Sequence, residues 1–304
     1  MQPEERSKEQ CLILRSLGGL YLAETENGVV ECHARGIFRK NKISPCAGDR
    51  AYLEYEAGEP VISELLPRKN QLIRPPAANI DCIIFVVSTC EPDPDLLLLD
   101  KFISVAEYKN ILPALVITKS DLRQRQDIEK LYSHIGYKVF VPDYSDEHSV
   151  EPIKNLIAGK ICILTGNTGA GKSTLLNHID SSLCLATGEI SKKLGRGKHT
   201  TRQASLYKLS NGGYIADTPG FSTFETNKYD IIFKDQLKYC FREFAEYNGK
   251  CRFPDCAHIK EAGCAVIKAV EDGYIAGSRH SSYCEMYEEA KQIKEWELEK
   301  YNGM

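Results

Sequence analysis

An eight-residue segment in the middle of the chain matches the pattern G-x-x-x-x-G-K-[ST] at every fixed position. It reads Gly166-Asn167-Thr168-Gly169-Ala170-Gly171-Lys172-Ser173. An apolar stretch of strand length, residues 161–164, precedes it, and a helical pattern begins near Lys172. Glycines allow a tight backbone curl, so several amide N–H groups and a helix N-terminus converge on one point, where phosphate oxygens bind. The segment therefore predicts a phosphate-binding loop in an α/β domain.

Two side chains of this loop have separate expected roles. Lys172 is expected to reach the β- and γ-phosphate oxygens, and Ser173 to bind the Mg²⁺ that accompanies them. The backbone of the rest of the loop, through Thr174, is expected to line the nucleotide. The alternative is a glycine-rich turn that binds no ligand. The agreement of motif and context favours the nucleotide site.

A second motif, Asp217-Thr218-Pro219-Gly220, ends a downstream apolar strand pattern and fits D-x-x-G. In nucleotide switches an aspartate at this place supports the magnesium ion, and the glycine amide senses the γ-phosphate. Four such residues alone are compatible with an ordinary turn. Their position after a phosphate loop favours a switch in which Asp217 and Gly220 bind nucleotide.

The segment Thr118-Lys119-Ser120-Asp121 indicates which base is bound, because it fits [NT]-K-x-D after an apolar stretch. Guanine carries its N1–H and N2–H₂ donors on one edge, and a single carboxylate accepts both. Asp121 is therefore expected to select guanine over adenine. The aliphatic part of Lys119 is expected to pack on the base or the phosphate loop. The alternative is a helix N-terminus capped by Ser120 or Asp121.

The order of these motifs differs from that of an ordinary switch GTPase, in which the phosphate loop comes first and the guanine motif late. Here Asp121 precedes Lys172, which precedes Asp217. A sheet is held by packing and not by chain order, and domain termini lie at the surface, so a rejoined chain still folds. The sequence predicts a circularly permuted α/β P-loop GTPase domain.

Residues 190–202, between the phosphate loop and D-x-x-G, are rich in glycine, lysine and arginine. We expect a loop that supplies a threonine hydroxyl to Mg²⁺, with Thr201 the first choice and Thr200 the second. Phe221 stands where a Ras-like enzyme carries a water-orienting glutamine, so His199 is the candidate catalytic side chain. The alternatives are that the basic residues are solvated or contact RNA phosphates, and that His199 only hydrogen-bonds the loop or RNA.

Near the C-terminus the sequence places three cysteines and one histidine within fourteen residues: Cys251, Cys256, His258 and Cys264. Three thiolates and an imidazole form a closed tetrahedral set for structural zinc, with no open position for catalysis. Zinc is expected to contribute folding energy to a small helical domain. The alternative is a group of unligated core cysteines. Cys82, Cys90 and Cys162 lie in strand patterns and are expected to be buried apolar side chains.

The N-terminal part shows short alternating strands broken by turn residues such as Asn27-Gly28. About five strands in this length favour a small OB-like barrel, and a generic barrel without a ligand is the alternative. Prolines at positions 67, 75 and 76 predict a linker over residues 68–79. The predicted domains are residues 1–68 for the barrel, 69–227 for the permuted GTPase domain and 228–304 for a zinc-binding helical domain.

Strand and helix patterns alternate after the linker, which predicts a parallel sheet. Strands are expected over residues 80–88, 112–118, 138–142 and 160–165. Helices are expected over residues 95–109, 121–135 and 150–156. Beyond about residue 227 the strand patterns stop, and a charged helix is expected over residues 282–301.

Composition limits the remaining classes of function. The 304-residue chain has a formal charge of −3, so any RNA contact is expected to be local. No apolar run reaches the length of a spanning helix, and the N-terminus lacks a signal-peptide pattern. Twelve cysteines without a regular framework favour reduced thiols. We therefore expect a cytoplasmic protein without a membrane partner.

Taken together, these motifs resemble the ribosome small-subunit-dependent GTPase A family, also called RsgA or YjeQ, from about residue 10 to the C-terminal helix. The likeness covers the barrel, the permuted guanine motif, the phosphate loop and the Cys₃His spacing. It also includes the segments Gly195-Arg196-Gly197-Lys198-His199-Thr200-Thr201 and Asp217-Thr218-Pro219-Gly220-Phe221. Two positions depart from the family pattern. Thr118 replaces the more frequent Asn, and Pro142-Asp143-Tyr144-Ser145 stands where a Ser-Ala pair is common.

The resemblance implies an OB-fold domain, a permuted GTPase domain and a zinc domain that together bind the small ribosomal subunit and its rRNA late in assembly. It implies GTP hydrolysis that the subunit stimulates and that releases the factor, with support from His199. It further implies zinc ligation by Cys251, Cys256, His258 and Cys264. We expect a monomer that binds GTP and GDP. The rival functions are an ATP-dependent kinase and an RNA-binding module whose nucleotide site is only a switch.

Overall fold

The N-terminal strands close into a barrel in the computed structural model, which describes residues 8–73, 76–183, 204–217 and 231–293. Its strands are β1 (Glu9–Leu17), β2 (Leu20–Thr25), β3 (Gly28–Ala34), β4 (Arg50–Glu56) and β5 (Glu59–Leu65). β1 pairs antiparallel with both β2 and β4. β2 pairs with β3, β3 runs parallel to β5, and β5 returns to β4. This closed arrangement confirms the predicted five-stranded barrel.

Alternating side chains of these strands fill the interior of the barrel, as a period of two requires. Ile13, Leu53 and Ile62 are fully buried there. A short helix, α1 (Gly36–Lys40), connects β3 to β4 and adds Phe38 to the same core. The predicted turn at Asn27-Gly28 joins β2 to β3, with Gly28 at φ +128°.

In its described parts, residues 68–73 and 76–79, the segment predicted as a linker packs more closely than its prolines indicate. It contains the two-residue strands β6 (Gln71–Leu72) and β7 (Ala77–Ala78). Leu72 and Ala78 are fully buried. Arg68 anchors the segment because its Nε and Nη2 donate to the two carboxylate oxygens of the buried Asp49, at 2.6 and 2.7 Å. A bidentate contact of this kind fixes a guanidinium in one geometry.

The chain divides into two units, each built from two separate stretches. One contains Met1–Val86 and Pro142–Thr223, and the other contains Val87–Val141 and Phe224–Met304. The strands beyond the barrel are β8 (Cys82–Ser88), β9 (Leu112–Thr118), β10 (Lys138–Phe140), β11 (Ile161–Thr165), β12 (Ser205–Lys208) and β13 (Tyr214–Asp217). The division falls inside β8.

In the first unit a sheet continues from the barrel. β11 runs parallel to β8 on one side and to β13 on the other, while β12 runs antiparallel to β13. β12 also pairs with β1 of the barrel at Arg15 and Ser205. Helices α4 (Glu151–Ile157) and α5 (Lys172–Ile179) lie before and after β11. The parallel core β8-β11-β13 matches the predicted α/β class.

In the second unit β9 and β10 pair in parallel. Its helices are α2 (Leu96–Tyr108), α3 (Gln126–His134), α6 (Lys234–Leu237), α7 (Ala265–Glu271) and α8 (Gly277–Lys291). Residues 231–293 contain no strand, as predicted. The last helix begins five residues earlier than predicted, because Gly277 and Ser278 lack an apolar signal although their backbone is helical. Residues 294–304 lie outside the described part.

The cysteines in strand patterns behave as expected with one difference. Cys82 and Cys162 face each other on β8 and β11 and are fully buried. Cys90 lies beyond the end of β8 and is half-buried, so its assignment to a strand was wrong. None of the helices in the described ranges is long and apolar enough to cross a bilayer.

A buried ion cluster joins three elements of the second unit. Arg279 of α8 is fully buried, and its Nε donates to Glu243 Oε1 at 2.6 Å. Its Nη1 donates to the α2 carboxylate Asp100, which also accepts from the Tyr132 hydroxyl at 2.7 Å. Burial alone would lower the pKa of Arg279, but the two carboxylates outweigh that effect and raise it. The three charged groups therefore balance one another, and each depends on the others to stay ionised in the core.

We predict that Arg279→Met lowers the free energy of unfolding by about 3–5 kcal/mol, because two buried carboxylates then lose the cation that balances their charge. Denaturant unfolding of the full chain measures this loss. The control is Lys268→Ala, which breaks an exposed pair with Asp272 (3.0 Å) and is expected to leave the free energy of unfolding nearly unchanged, because solvent screens that pair. An Arg279→Met protein within about 1 kcal/mol of wild type would contradict the assigned role of the cluster.

Candidate nucleotide site and metal centre

The predicted phosphate loop lies between β11 and α5, at the carboxyl end of a parallel strand. Gly171 caps α5 in a left-handed conformation, with φ +92°. Gly166 has φ +147°, and a Cβ built on it would lie 2.2 Å from the carbonyl oxygen of Val86 in β8. Only glycine fits where the loop leaves β11. The first amides of α5 have no earlier carbonyl to bind within the helix, so they can bind an anion.

Lys172 opens α5 and folds back over the loop. Its Nζ donates to the carbonyl oxygens of Gly166 and Asn167, at 2.6 and 2.8 Å. Burial lowers its pKa from the ordinary lysine value. Ser173, the next residue, is buried in the first turn of α5. A hydroxyl on this turn suits a hard cation that also contacts phosphate oxygens.

The predicted guanine segment, residues 118–121, begins at the end of β9. Thr118 is buried, and its Oγ1 donates to the Val87 carbonyl at 3.4 Å. Lys119 has φ +58°, and its Nζ donates to the Glu91 carbonyl. Ser120 is half-buried and Asp121 is exposed, so the carboxylate is open to a ligand.

This geometry rules out the alternative interpretation of the segment. Helix α3 begins at Gln126, with Arg125 at its N-cap and no capping side chain. Neither Ser120 nor Asp121 therefore caps α3, and the helix predicted over residues 121–135 starts too early. The Lys119 carbonyl instead accepts from the amides of Leu122 and Arg123, at 3.1 and 3.2 Å, which closes a turn after the segment.

The loop where the family commonly has a Ser-Ala pair folds around Asp143. Its Oδ1 accepts from the Ser145 amide (2.9 Å) and hydroxyl (2.7 Å). The Tyr144 ring stacks on His178 of α5, with centroids 4.4 Å apart and planes 13° apart. Burial raises the pKa of Tyr144 to about 12. No sequence pattern predicts this stack, because residues 144 and 178 are distant in the chain.

Several predicted site residues fall at the edge of the described part or outside it. Asp217 is the last residue of β13. Gly220, His199, Thr200 and Thr201 lie outside the described residues, so their roles stay predictions.

The predicted metal ligands converge in the second unit. The three Sγ atoms and the histidine nitrogen of Cys251, Cys256, His258 and Cys264 all lie within 4.8 Å of one another. His258 presents Nδ1, which lies 3.5 Å from Cys251 Sγ and 3.4 Å from Cys264 Sγ. Except for half-buried Cys251, the four are buried. Three sulfurs and one nitrogen at this spacing fit a tetrahedral zinc ion.

Hydrogen bonds from backbone amides fix the loops that carry the four predicted ligands. Glu261 accepts from the amides of Ala257 (3.0 Å) and Ile259 (2.9 Å), which closes the loop that carries His258. The Cys251 and Cys264 sulfurs accept from amides at the start of α7, at 3.3 and 3.5 Å. Amide donors stabilise thiolate charge, so the sulfurs are held ready for a cation.

The parallel sheet, the glycine loop after β11 and the helix that begins at Lys172 define a P-loop nucleotide-binding protein. The RsgA GTPase family profile matches residues 65–227, and the RsgA N-terminal domain profile matches residues 10–61. The chain belongs to the RsgA GTPase family.

Relatives match nearly the whole chain. A protein of Caldanaerobacter subterraneus subsp. tengcongensis named small ribosomal subunit biogenesis GTPase RsgA is 43% identical over 298 residues, covering 97% of this chain and 99% of the relative. The small ribosomal subunit biogenesis GTPase RsgA 1 of Listeria monocytogenes is 42% identical over 289 residues, covering 93% of this chain and 97% of the relative.

Two solved structures share the fold. YjeQ from Thermotoga maritima superposes with a TM-score of 0.79 at 32% identity, covering 95% of this chain and all of that chain. YloQ, described as a circularly permuted GTPase, gives a TM-score of 0.76 at 32% identity, covering 97% of this chain and 99% of that chain. These likenesses support the predicted family and the permuted fold.

We predict that Gly166→Ala lowers the free energy of unfolding by about 3 kcal/mol or more, because it adds a clash with the Val86 carbonyl to an unfavourable φ. The control is Gly159→Ala. Gly159 also has a positive φ, +67°, but open space around its Cβ position, so about 1–2 kcal/mol is expected. Equal losses in the two variants, measured by denaturant unfolding, would show that the close approach to β8 is unimportant.

Proposed function

We propose that this protein is a GTP phosphohydrolase that binds the small ribosomal subunit and assists its late maturation. Hydrolysis is stimulated by the subunit and coupled to release of the factor. The observation that carries the proposal is a phosphate loop with an upstream guanine motif in a chain 43% identical, along nearly its whole length, to a relative named for small-subunit biogenesis. The reaction class is attack of water on the γ-phosphate.

The nucleotide is bound by the residues that the motifs single out. Backbone amides of the loop from Gly166 to Thr174 surround the phosphates, and the Lys172 ammonium exchanges its two carbonyl contacts for phosphate oxygens. Lys172 is half-buried, so its charge acts through a lower dielectric than water provides. Thr118, Lys119 and Ser120 support the base pocket, and Asp121 accepts the two guanine donors.

Hydrolysis needs a positioned water and neutralised phosphate charge. We assign the positioning of the attacking water to His199 and the γ-phosphate contact to the Gly220 amide. Thr201 is assigned as a magnesium ligand, with Thr200 the alternative. When bound with GTP, Mg²⁺ would supply positive charge that stabilises the negative charge developing on the phosphate oxygens. Ser173 and Thr201 would hold that ion, and Asp217 would support it from the end of β13. Slow turnover of the free protein is expected, because the partner completes the site.

One zinc ion bound by Cys251, Cys256, His258 and Cys264 is the proposed structural cofactor. Its complete set of four protein ligands leaves no position for substrate, so zinc stabilises the helical region and does no chemistry. The four ligands come from one short segment that packs on Phe244 and Tyr283 of the core. Loss of the ion is expected to unfold this region first.

The proposed partner is RNA-rich, although the chain as a whole is slightly acidic. Residues 190–202 carry lysine and arginine side chains and are the candidate contact with rRNA phosphates. We propose a cytoplasmic monomer that cycles between GTP and GDP and has no membrane partner. An ATP-dependent kinase is disfavoured by the [NT]-K-x-D segment. Because this segment does not cap a helix and Asp121 is exposed, its carboxylate is free to select guanine.

We predict that purified small subunits raise the GTP turnover of the wild type at least about tenfold, and that Lys172→Ala abolishes the stimulated rate by removing the phosphate contact. Phosphate release under multiple turnover is the measurement. Lys154→Ala is the control, because the Lys154 ammonium pairs with Glu151 on α4 at 2.8 Å and Lys154 belongs to none of the nucleotide motifs. Stimulation that survives in Lys172→Ala, or a wild type that hydrolyses ATP in preference to GTP, would contradict the proposal.

We predict that Cys256→Ser lowers bound zinc from about one ion per chain to well below one, since hydroxyl oxygen is a poor ligand for zinc at this site. Metal analysis after gel filtration measures the content. Cys240→Ser is the matched control, because Cys240 is equally buried in the same core but is not a ligand. The control is expected to keep its zinc even where stability falls. Equal zinc content in both variants would exclude the proposed ligand set.

A further inference from the structure

We infer that Thr89 is a positioning residue for guanine recognition, acting through the backbone of Lys119; this inference rests on the proposed role of Asp121. Thr89 follows β8 directly and belongs to none of the nucleotide motifs. Two of its hydrogen bonds hold the start of the guanine segment. All the contacts involved lie within the second unit.

The need for a positioning residue arises from the conformation of Lys119. This residue has a φ of +58°, in the left-handed region that a residue with a Cβ seldom occupies. Such a conformation persists only where surrounding contacts define it, and it tends to occur at ligand sites. The direction of the chain from Lys119 to Asp121 depends on it, because the carboxylate lies only two residues beyond the strained backbone.

Thr89 supplies those contacts from a fully buried position. Its amide donates to the Thr118 carbonyl at 3.0 Å. Its Oγ1 donates to the Lys119 carbonyl at 2.7 Å. Thr89 has no exposed surface, so water does not compete for the hydroxyl. One residue therefore binds two consecutive carbonyls on either side of the strained position.

The neighbouring contacts point the same way. The Lys119 ammonium donates to the Glu91 carbonyl, so both the backbone and the side chain of Lys119 are tied to residues 89–91. The Lys119 carbonyl also accepts from the Leu122 and Arg123 amides. The Thr89 hydroxyl is a third donor to the same oxygen. Among the described residues, Thr89 is the only donor to this carbonyl that lies outside the guanine segment and the turn that follows it.

The consequence for recognition is geometric. A carboxylate that accepts both N1–H and N2–H₂ of guanine has to lie in the plane of the base edge. Without the Thr89 hydroxyl the left-handed backbone is less well defined, and the Asp121 carboxylate samples more orientations. Inosine nucleotides lack the 2-amino group and offer one donor, so they depend less on this alignment. Thr89 should therefore affect the preference for GDP over IDP.

The experiment compares the GDP and IDP affinities of the full-length Mg²⁺-supplemented protein by competition with a fluorescent guanine nucleotide. Thr89→Val keeps the shape of the side chain and removes the hydroxyl, and Thr89→Ala also removes it with less volume. We expect the GDP-to-IDP affinity ratio to fall about fivefold in both, consistent with the loss of one buried hydrogen bond. Thr89→Ser keeps the hydroxyl and should stay within about twofold of wild type.

One further variant and a stability measurement separate positioning from general stability. Cys90→Ala removes the sulfur that lies 3.8 Å from the Thr89 hydroxyl, and it should leave the ratio unchanged. Melting temperature is recorded for each variant, because a general loss of stability lowers GDP and IDP binding together.

The inference alone is overturned if folded Thr89→Val and Thr89→Ala keep the wild-type ratio. If the wild type itself does not prefer GDP over IDP and ADP, the assignment of guanine to Asp121 fails, and this inference fails with it. A reduced ratio in Thr89→Val and Thr89→Ala, retained in Thr89→Ser, supports the proposed role.

Discussion

The approach of the Gly166 backbone to the Val86 carbonyl sets the geometry on which the nucleotide site depends. Because a Cβ at position 166 would lie 2.2 Å from that oxygen, the chain can leave β11 along this path only as glycine. The path places the following residues, and the N-terminus of α5, beyond the carboxyl ends of parallel strands. Ligands bind at this edge in open α/β sheets because helix N-termini and loop amides meet there.

The helical part of the second unit is stabilised differently, by polar groups buried in a small core. The ion cluster around Arg279 links α2, α8 and the segment of Glu243, and the Cys₃His group lies in the same apolar core. Removing one member of such a cluster leaves an uncompensated buried charge, so the packing of α2, α8 and the Glu243 segment depends on all three charged groups. The Cys₃His group, whose geometry fits a zinc ion, is a second specific polar site in the same core.

The local features of the fold could be predicted because each depends on neighbouring residues. The phosphate loop between β11 and α5, the turn at Asn27-Gly28 and the Cys₃His spacing are such cases. The features that sequence reasoning missed depend on distant residues. Arg279 and Asp100 are 179 residues apart, and Thr89 and Lys119 are 30 apart. The helix predicted from residue 121 begins at Gln126, because a turn closed by the Lys119 carbonyl precedes it. The spacing of apolar residues does not reveal this turn.

Asp121 and Lys172 are proposed to bind the two ends of one guanine nucleotide. The most direct measurement is the affinity of Asp121→Asn for XDP and GDP, with and without Lys172→Ala. Xanthine carries a 2-oxo group in place of the guanine amine. The side-chain NH₂ that Asp121→Asn introduces can donate to that oxygen, so this variant should change the preference from GDP to XDP. We expect Asp121→Asn to bind XDP at least about tenfold more tightly than GDP, and Lys172→Ala to abolish both. Unchanged GDP preference in Asp121→Asn, or XDP binding that persists without Lys172, would contradict the account.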